Sequence, residues 1–171
     1  MTTPAADAPA LHIAQESPLG VDLAELFTRH AAHCRAQTPP GSVHMRGAEA
    51  LDSPDIAFFV LRAGGAPLAM GALRSLDPHH GELKSMHVLD GHRGRGLAQA
   101  LLARLVAEAQ RRGLRRLSLE TGAQPNFDAA RGLYRAAGFV ECGPFGDYRV
   151  DPSSVFMTMG LGAAPVADGG V

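Results

Sequence analysis

Four residues, Arg93-Gly94-Arg95-Gly96, join an apolar alternating segment to a stretch with helical spacing. Glycine just ahead of a helix lets the backbone take left-handed angles and lets another molecule come close. The first-turn N–H groups of a helix lack internal partners and favour an anion. Arg93 and Arg95 add planar guanidinium donors suited to phosphate. The chemistry expected here is the holding of a phosphate-bearing ligand. A Walker A loop is excluded, because no Gly-Lys-Ser or Gly-Lys-Thr follows at the right spacing. A dinucleotide loop fits in part: Gly94 and Gly96 supply two glycines, and Glu120 stands where a ribose-binding acid belongs. Gln99 replaces the third glycine, and the turn comes late, with only about fifty residues after Glu120 for the rest of a doubly wound fold.

The elements that position this turn follow from periodicity. "LHIAQ" at Leu11–Gln15 alternates as a first strand, and Leu23, Leu26, Phe27 and Ala31 recur at helical spacing over 21–35. "QTPPGS" at 37–42 ends that helix, and a short helix is expected near Ala48–Leu51. "IAFFVLRAGGAPLAMGALRSL" reads as a hairpin closing at Gly64-Gly65, and "ELKSMHV" as the next strand after a turn at 77–81. Ala98, Leu101, Leu102, Leu105, Val106 and Ala109 place an apolar stripe on a helix that stops at Gly113. "RRLSLE" is then a strand, so strand, helix and strand imply one right-handed parallel crossover. "NFDAARGLYRAAGF" gives another helix, opened near Asn126 and closed by Gly138, and strands over 139–142 and 154–161 finish the fold. The expected class is α/β: a mixed, mostly antiparallel central sheet with one parallel crossover, flanked by helices. One domain over 11–161 is expected, between flexible tails at 1–10 and 162–171.

Composition narrows the function. The chain has 171 residues, 46% of them hydrophobic and 19% charged, with a formal net charge of −1. That balance gives no bulk charge for holding nucleic acid. Lys84 is the only lysine, so nearly all positive charge is arginine. No run approaches the roughly 20 apolar residues of a membrane span. "MTTPAADAPA" has no basic region followed by an apolar run, so no secretory signal is expected and the location expected is cytoplasmic. Cys34 and Cys142 form no C-x-x-C pair and are expected as reduced thiols. The eight histidines show no recognised ligand spacing, so no metal is expected.

Arg93, Gly96 and Ala98 match the pattern Arg or Gln, two residues, Gly, one residue, Gly or Ala. This run resembles the acetyl-CoA pyrophosphate loop of the GNAT superfamily of N-acetyltransferases. Glu82 at the start of the preceding strand, Asn126 at the next helix and Tyr134 in "LYRAAGF" fall at the family's positions. The resemblance covers roughly 11–161, and "LETGAQPNF" is similar to a bacterial, YsnE-like subgroup. It implies acetyl transfer from acetyl-CoA to a primary amine of an amino-acid-like small molecule or a protein, by direct attack in a ternary complex. A non-catalytic acyl-CoA-binding module is the alternative, and dinucleotide binding the weaker one. Superfamily members are often dimers, which makes a homodimer one expected assembly.

The resemblance also implies roles. Backbone N–H groups of Gly94, Arg95, Gly96, Leu97, Ala98 and Gln99 cradle the pyrophosphate, with charge from Arg93 and Arg95. The backbone of Met86, His87 and Val88 pairs with the pantetheine arm, and an N–H near Val88 faces the thioester oxygen. Asn126 contacts the arm or caps its helix. Tyr134 is the expected general acid, although a phenol of pKa ~10 protonates a thiolate of pKa ~8.5 only in a helpful environment. Glu82 is the first candidate general base and His87 the second. Arg35, His44 and Arg149 are candidates for the acceptor side, where an arginine would pair with a substrate carboxylate.

Overall fold

The computed structural model describes residues 8–162. Seven strands form one sheet in the order β1-β2-β3-β4-β5-β7-β6: β1 Leu11–Gln15, β2 Ile56–Ala63, β3 Ala66–Ser75, β4 His80–Val88, β5 Arg116–Gly122, β6 Val140–Cys142 and β7 Ser154–Gly160. Every neighbouring pair is antiparallel except β4 and β5. The helices are α1 Ala24–Arg35, α2 Ala48–Leu51, α3 Leu97–Arg111 and α4 Asp128–Ala137. The expected mixed sheet with one parallel crossover is therefore what the chain forms. The expected tails fall largely outside the described residues.

Element boundaries differ from the expected ones for local reasons. β4 starts at His80, two residues early, because the Asp77 carboxylate accepts the N–H groups of His79 and His80 at 2.7 and 2.8 Å and closes the turn sooner. β5 runs past Glu120 to Gly122, held by pairing with β7. A 3-10 turn over Pro125–Phe127 precedes α4, so Phe127 takes the cap position. Asn126 does not cap the helix. Its amide instead donates to the His33 carbonyl at 3.1 Å, joining this turn to the end of α1.

The sheet has a core on each face. Leu101, Leu105, Leu117 and Met157 are fully buried in the larger core, which contains the α3 stripe. Burying one such side chain contributes about 1.5–3 kcal/mol. The smaller core holds Leu23, Leu26, Phe58 and Met70 under α1 and α2. α3 carries one acid inward: Glu108 is 2% exposed and is neutralised by Arg111 and Arg112 at 2.6 and 2.8 Å, so these arginines serve a buried carboxylate as well as the helix end.

Two irregularities open the middle of the sheet. The β4–β5 ladder runs only from His80↔Arg116 to Leu83↔Leu119. Beyond it, 84–88 leave β5 and keep β3 as their ladder partner. On β3, Gly71 alone faces two residues of β4, Ser85 and Met86, between the pairs Met70↔His87 and Ala72↔Lys84. Ser85 takes φ 56°, the one non-glycine residue with positive φ among those described. A Cβ at position 71 would lie 2.7 Å from the Met86 sulfur and 2.9 Å from Leu105 Cδ1, so a larger residue there would have to push these side chains aside.

Candidate active site

The split between β4 and β5 opens into a cavity of about 430 Å³. One end is made by the glycine turn. Gly94 and Gly96 both have φ 76°, and Gly96 is the cap residue of α3 with no side chain bonded across it. The first N–H to reach a helix carbonyl is that of Ala100, to Gly96 at 3.0 Å. The N–H groups of Leu97, Ala98 and Gln99 are thus the open donors of a fifteen-residue helix, aligned with its positive end. Arg93 lines the cavity, half exposed and paired with Asp90 at 3.0 Å. Arg95 is exposed, leans on His92 at 3.4 Å and lies outside the lining.

The middle of the cavity contains three buried polar atoms with no hydrogen-bond partner: Ser85 Oγ, His87 Nε2 and Asn126 Oδ1. All three residues line the cavity. An unmet buried polar group costs about 1–3 kcal/mol, so a polar ligand or water that reached these atoms would be favoured here. Met86 and Val88 line the same stretch, as does Tyr134, which is 6% exposed. Burial and the nearby Glu120 charge push the Tyr134 phenol well above its usual range, so it stays protonated but is a weaker acid than a free phenol, and neutralising Glu120 would ease its release of a proton.

The wall on the α1 side is built from imidazoles. The His87 ring lies 5.3 Å from His30 and 6.1 Å from His33, and His33 meets Phe127 edge-on at 5.0 Å. Burial, and then the charge His30 would carry, push His87 down to about 3. His30 falls to about 4 for the same first reason. Both rings are neutral at physiological pH, which makes His87 a hydrogen-bonding group and a poor proton acceptor. Burial also raises the adjacent Cys34 thiol to about 11, leaving it unreactive.

At the far end stand Glu120, Lys84, His44 and Tyr148. Glu120 is the only acidic residue lining the cavity among the described residues, and Ser154 Oγ donates to it at 2.7 Å. Burial raises its carboxyl above the ordinary range despite that hydrogen bond. Glu82 lies behind this wall: it is 2% exposed, is not among the lining residues and accepts from Lys84 and Tyr148. Of the three acceptor-side candidates the structure brings only His44 to the cavity. Arg35 and Arg149 are exposed and outside it. Glu120 is the cavity residue that sequence reasoning missed, since it entered only through the weaker dinucleotide alternative. The signal was present: in "RLSLE", buried Leu117 and Leu119 alternate with Ser118 and Glu120, which puts an acid on the Glu82 face just beyond the end of the β4 pairing.

Comparison with known proteins bears on the family and the fold. The sequence model of the Acetyltransferase (GNAT) family matches residues 22–139. The chain is 41% identical over 151 residues to the uncharacterized N-acetyltransferase YsnE of Bacillus subtilis (strain 168), covering 88% of this chain and all of that one. It is 38% identical to the IAA acetyltransferase of Azospirillum brasilense, over 87% of this chain and 97% of the relative. In fold it resembles a GNAT family acetyltransferase of Elizabethkingia anophelis solved with acetyl-CoA bound. The TM-score is 0.65 at 14% identity, covering 88% of this chain and 98% of that one.

Proposed function

The chain belongs to the acetyltransferase (GNAT) family and is an acyltransferase; from that premise we propose that it moves the acetyl group of acetyl-CoA to a primary amine of a small molecule, with both substrates bound together. The observation that carries this reading is the coincidence, in one cavity, of open helix N–H groups and three unpartnered buried polar atoms.

Acetyl-CoA supplies an activated acetyl thioester when bound. The N–H groups of 94–99, with Arg93, suit its pyrophosphate. Asn126 Oδ1 and the unpaired edge over 84–88 suit the amides of its arm, and the N–H of Val88 on that edge would stabilise negative charge on the carbonyl oxygen. Glu120 takes the proton that the acceptor ammonium must lose before nitrogen attacks. Tyr134 gives its proton to sulfur as the new C–N bond forms and the C–S bond breaks. Glu120 is placed in this role ahead of Glu82 and His87 because it alone of the three is a carboxyl facing the cavity. A single acidic lining residue also favours an acceptor with one cationic centre, such as the amino group of an amino-acid-like compound. Pairing of a substrate carboxylate with Arg35 or Arg149 has no support in their positions.

Calorimetric titration with acetyl-CoA, CoA and NAD in parallel tests the reading. Micromolar binding of acetyl-CoA and CoA without an NAD response is expected, followed by thiol release when the right amine is added. Folded protein that binds neither acetyl-CoA nor CoA would leave the glycine turn as a helix start only.

A further inference from the structure

We propose that Glu82 is a positioning residue: its carboxylate holds Tyr148 and Lys84, and through Tyr148 it fixes the 143–153 loop as the acceptor-side wall of the cavity. The kinetic consequence rests on the acetyltransferase reading, whereas the contact itself can be tested without it.

The contacts close on themselves. Glu82 Oε1 accepts the Tyr148 hydroxyl at 2.6 Å and the Lys84 ammonium at 2.9 Å, and Lys84 also donates to the Tyr148 oxygen at 2.9 Å. The ammonium lies 5.5 Å from the centre of the Tyr148 ring. Glu82 and Lys84 side chains are 2% and 8% exposed. A carboxylate this buried, with one oxygen already holding two donors, is neutralised where it stands.

Tyr148 belongs to the connection between β6 and β7, which carries no helix or strand of its own. Its ring packs on Phe145 at 5.1 Å, on Phe156 of β7 at 5.4 Å and edge-on to His44 at 5.2 Å. One β4 residue therefore sets the position of two connections outside the sheet, the 143–153 loop and the segment ahead of α2, both of which supply cavity lining. Glu120 and Arg46 also act electrostatically on Tyr148, and His80 lies within reach of Glu82, so these groups surround the same clamp.

The chain has two tyrosines and no tryptophan, which gives a substrate-free readout. In a Tyr134→Phe background, Tyr148 is the only phenol, and its ultraviolet ionisation can be followed directly. Glu82→Gln removes the negative charge against the hydroxyl and leaves Lys84 beside it. Burial, and then the Glu82 charge, hold the Tyr148 phenol well above its usual range, so its ionisation in alkaline titration should move to lower pH in this variant. In otherwise wild-type protein, Glu82→Gln and Tyr148→Phe should each raise acceptor KM roughly tenfold. The double variant should be no worse than the poorer single one, and the acid limb of the kcat/KM profile should persist in all three. An unchanged Tyr148 midpoint in Glu82→Gln would overturn the clamp. So would loss of the acid limb in Glu82→Gln beside normal kinetics in Tyr148→Phe, which would make Glu82 the base. Should Glu82→Gln not fold, Tyr148→Phe decides, with unchanged acceptor KM counting against the proposal. Wild-type protein that neither binds acetyl-CoA nor releases thiol would remove the acetyltransferase reading while the Tyr148 titration still ruled on the contact.

Discussion

The two ends of the cavity are built on different principles. The glycine-turn end is backbone: two residues at φ 76° and the open N–H groups of one helix, all within a few positions of each other. The acceptor end is side chain: Glu82 and Lys84 from β4, Glu120 from β5, His44 ahead of α2 and Tyr148 from the 143–153 loop. Backbone donors fixed by local geometry recognise a general feature, a phosphate, and tolerate most side-chain change. A side-chain network with contacts 64 to 66 residues apart recognises particulars and fails when one member is lost.

The largest expected break in this comparison is at the acceptor end. Glu120→Gln should lower kcat by roughly 10²- to 10³-fold with acetyl-CoA affinity intact, read by steady-state kinetics and calorimetry. Wild-type activity in that variant would return the base role to Glu82. The same substitution has a stability signature. Burial raises the Glu120 carboxyl, so the folded state binds its proton more tightly than the unfolded chain does. The group thus favours folding below the ordinary carboxylate range and loses that contribution as pH rises through the raised value. Glu120→Gln should melt above wild type at pH 7, with the gap closing toward pH 3 in thermal scans.

A smaller effect is expected from the backbone end. Gly96→Ala places a Cβ at φ 76° and costs about 1–2 kcal/mol of strain, although no neighbouring atom lies within 4 Å of that Cβ. Acetyl-CoA Kd should rise roughly tenfold with acceptor KM unchanged, since the strain moves the N–H row and nothing else. Equal damage to both constants would mean that the two ends are not independent. The smallest effect separates the two arginines of the turn. Arg93→Ala should weaken acetyl-CoA about three- to tenfold in a salt-dependent manner, and Arg95→Ala by less than about twofold. The reverse order would show that the turn rearranges when the ligand binds.

Much of the fold was legible because its signals are local. The hairpin closes at Gly64-Gly65, α2 occupies Ala48–Leu51 and the α3 stripe is buried, all as periodicity and turn chemistry dictate. The Asp77 turn and the 3-10 turn at Pro125 moved boundaries by two residues, since one side chain or one proline decides such an end. Asn126 shows the limit more sharply. Its place before a helix suggests a cap, yet its amide goes to His33, 93 residues away in sequence.

The sequence by itself determined the glycine-turn end of the cavity, because a left-handed glycine pair and a helix start are properties of adjacent residues. It also determined the succession of elements along the chain and the one parallel crossover, through hydrophobic period and the handedness of the chain, but not the insertion of β7 between β5 and β6. Only the tertiary structure decided which acid faces the cavity. Glu82 and Glu120 both project from strands on the same face, and nothing local distinguishes them. The difference comes from what packs around each: Lys84 and Tyr148 close over Glu82, whereas Glu120 stands where β5 has lost its β4 partner and opens to the cleft. Burial and partnership are sums over distant residues, and they exist only once the sheet has formed.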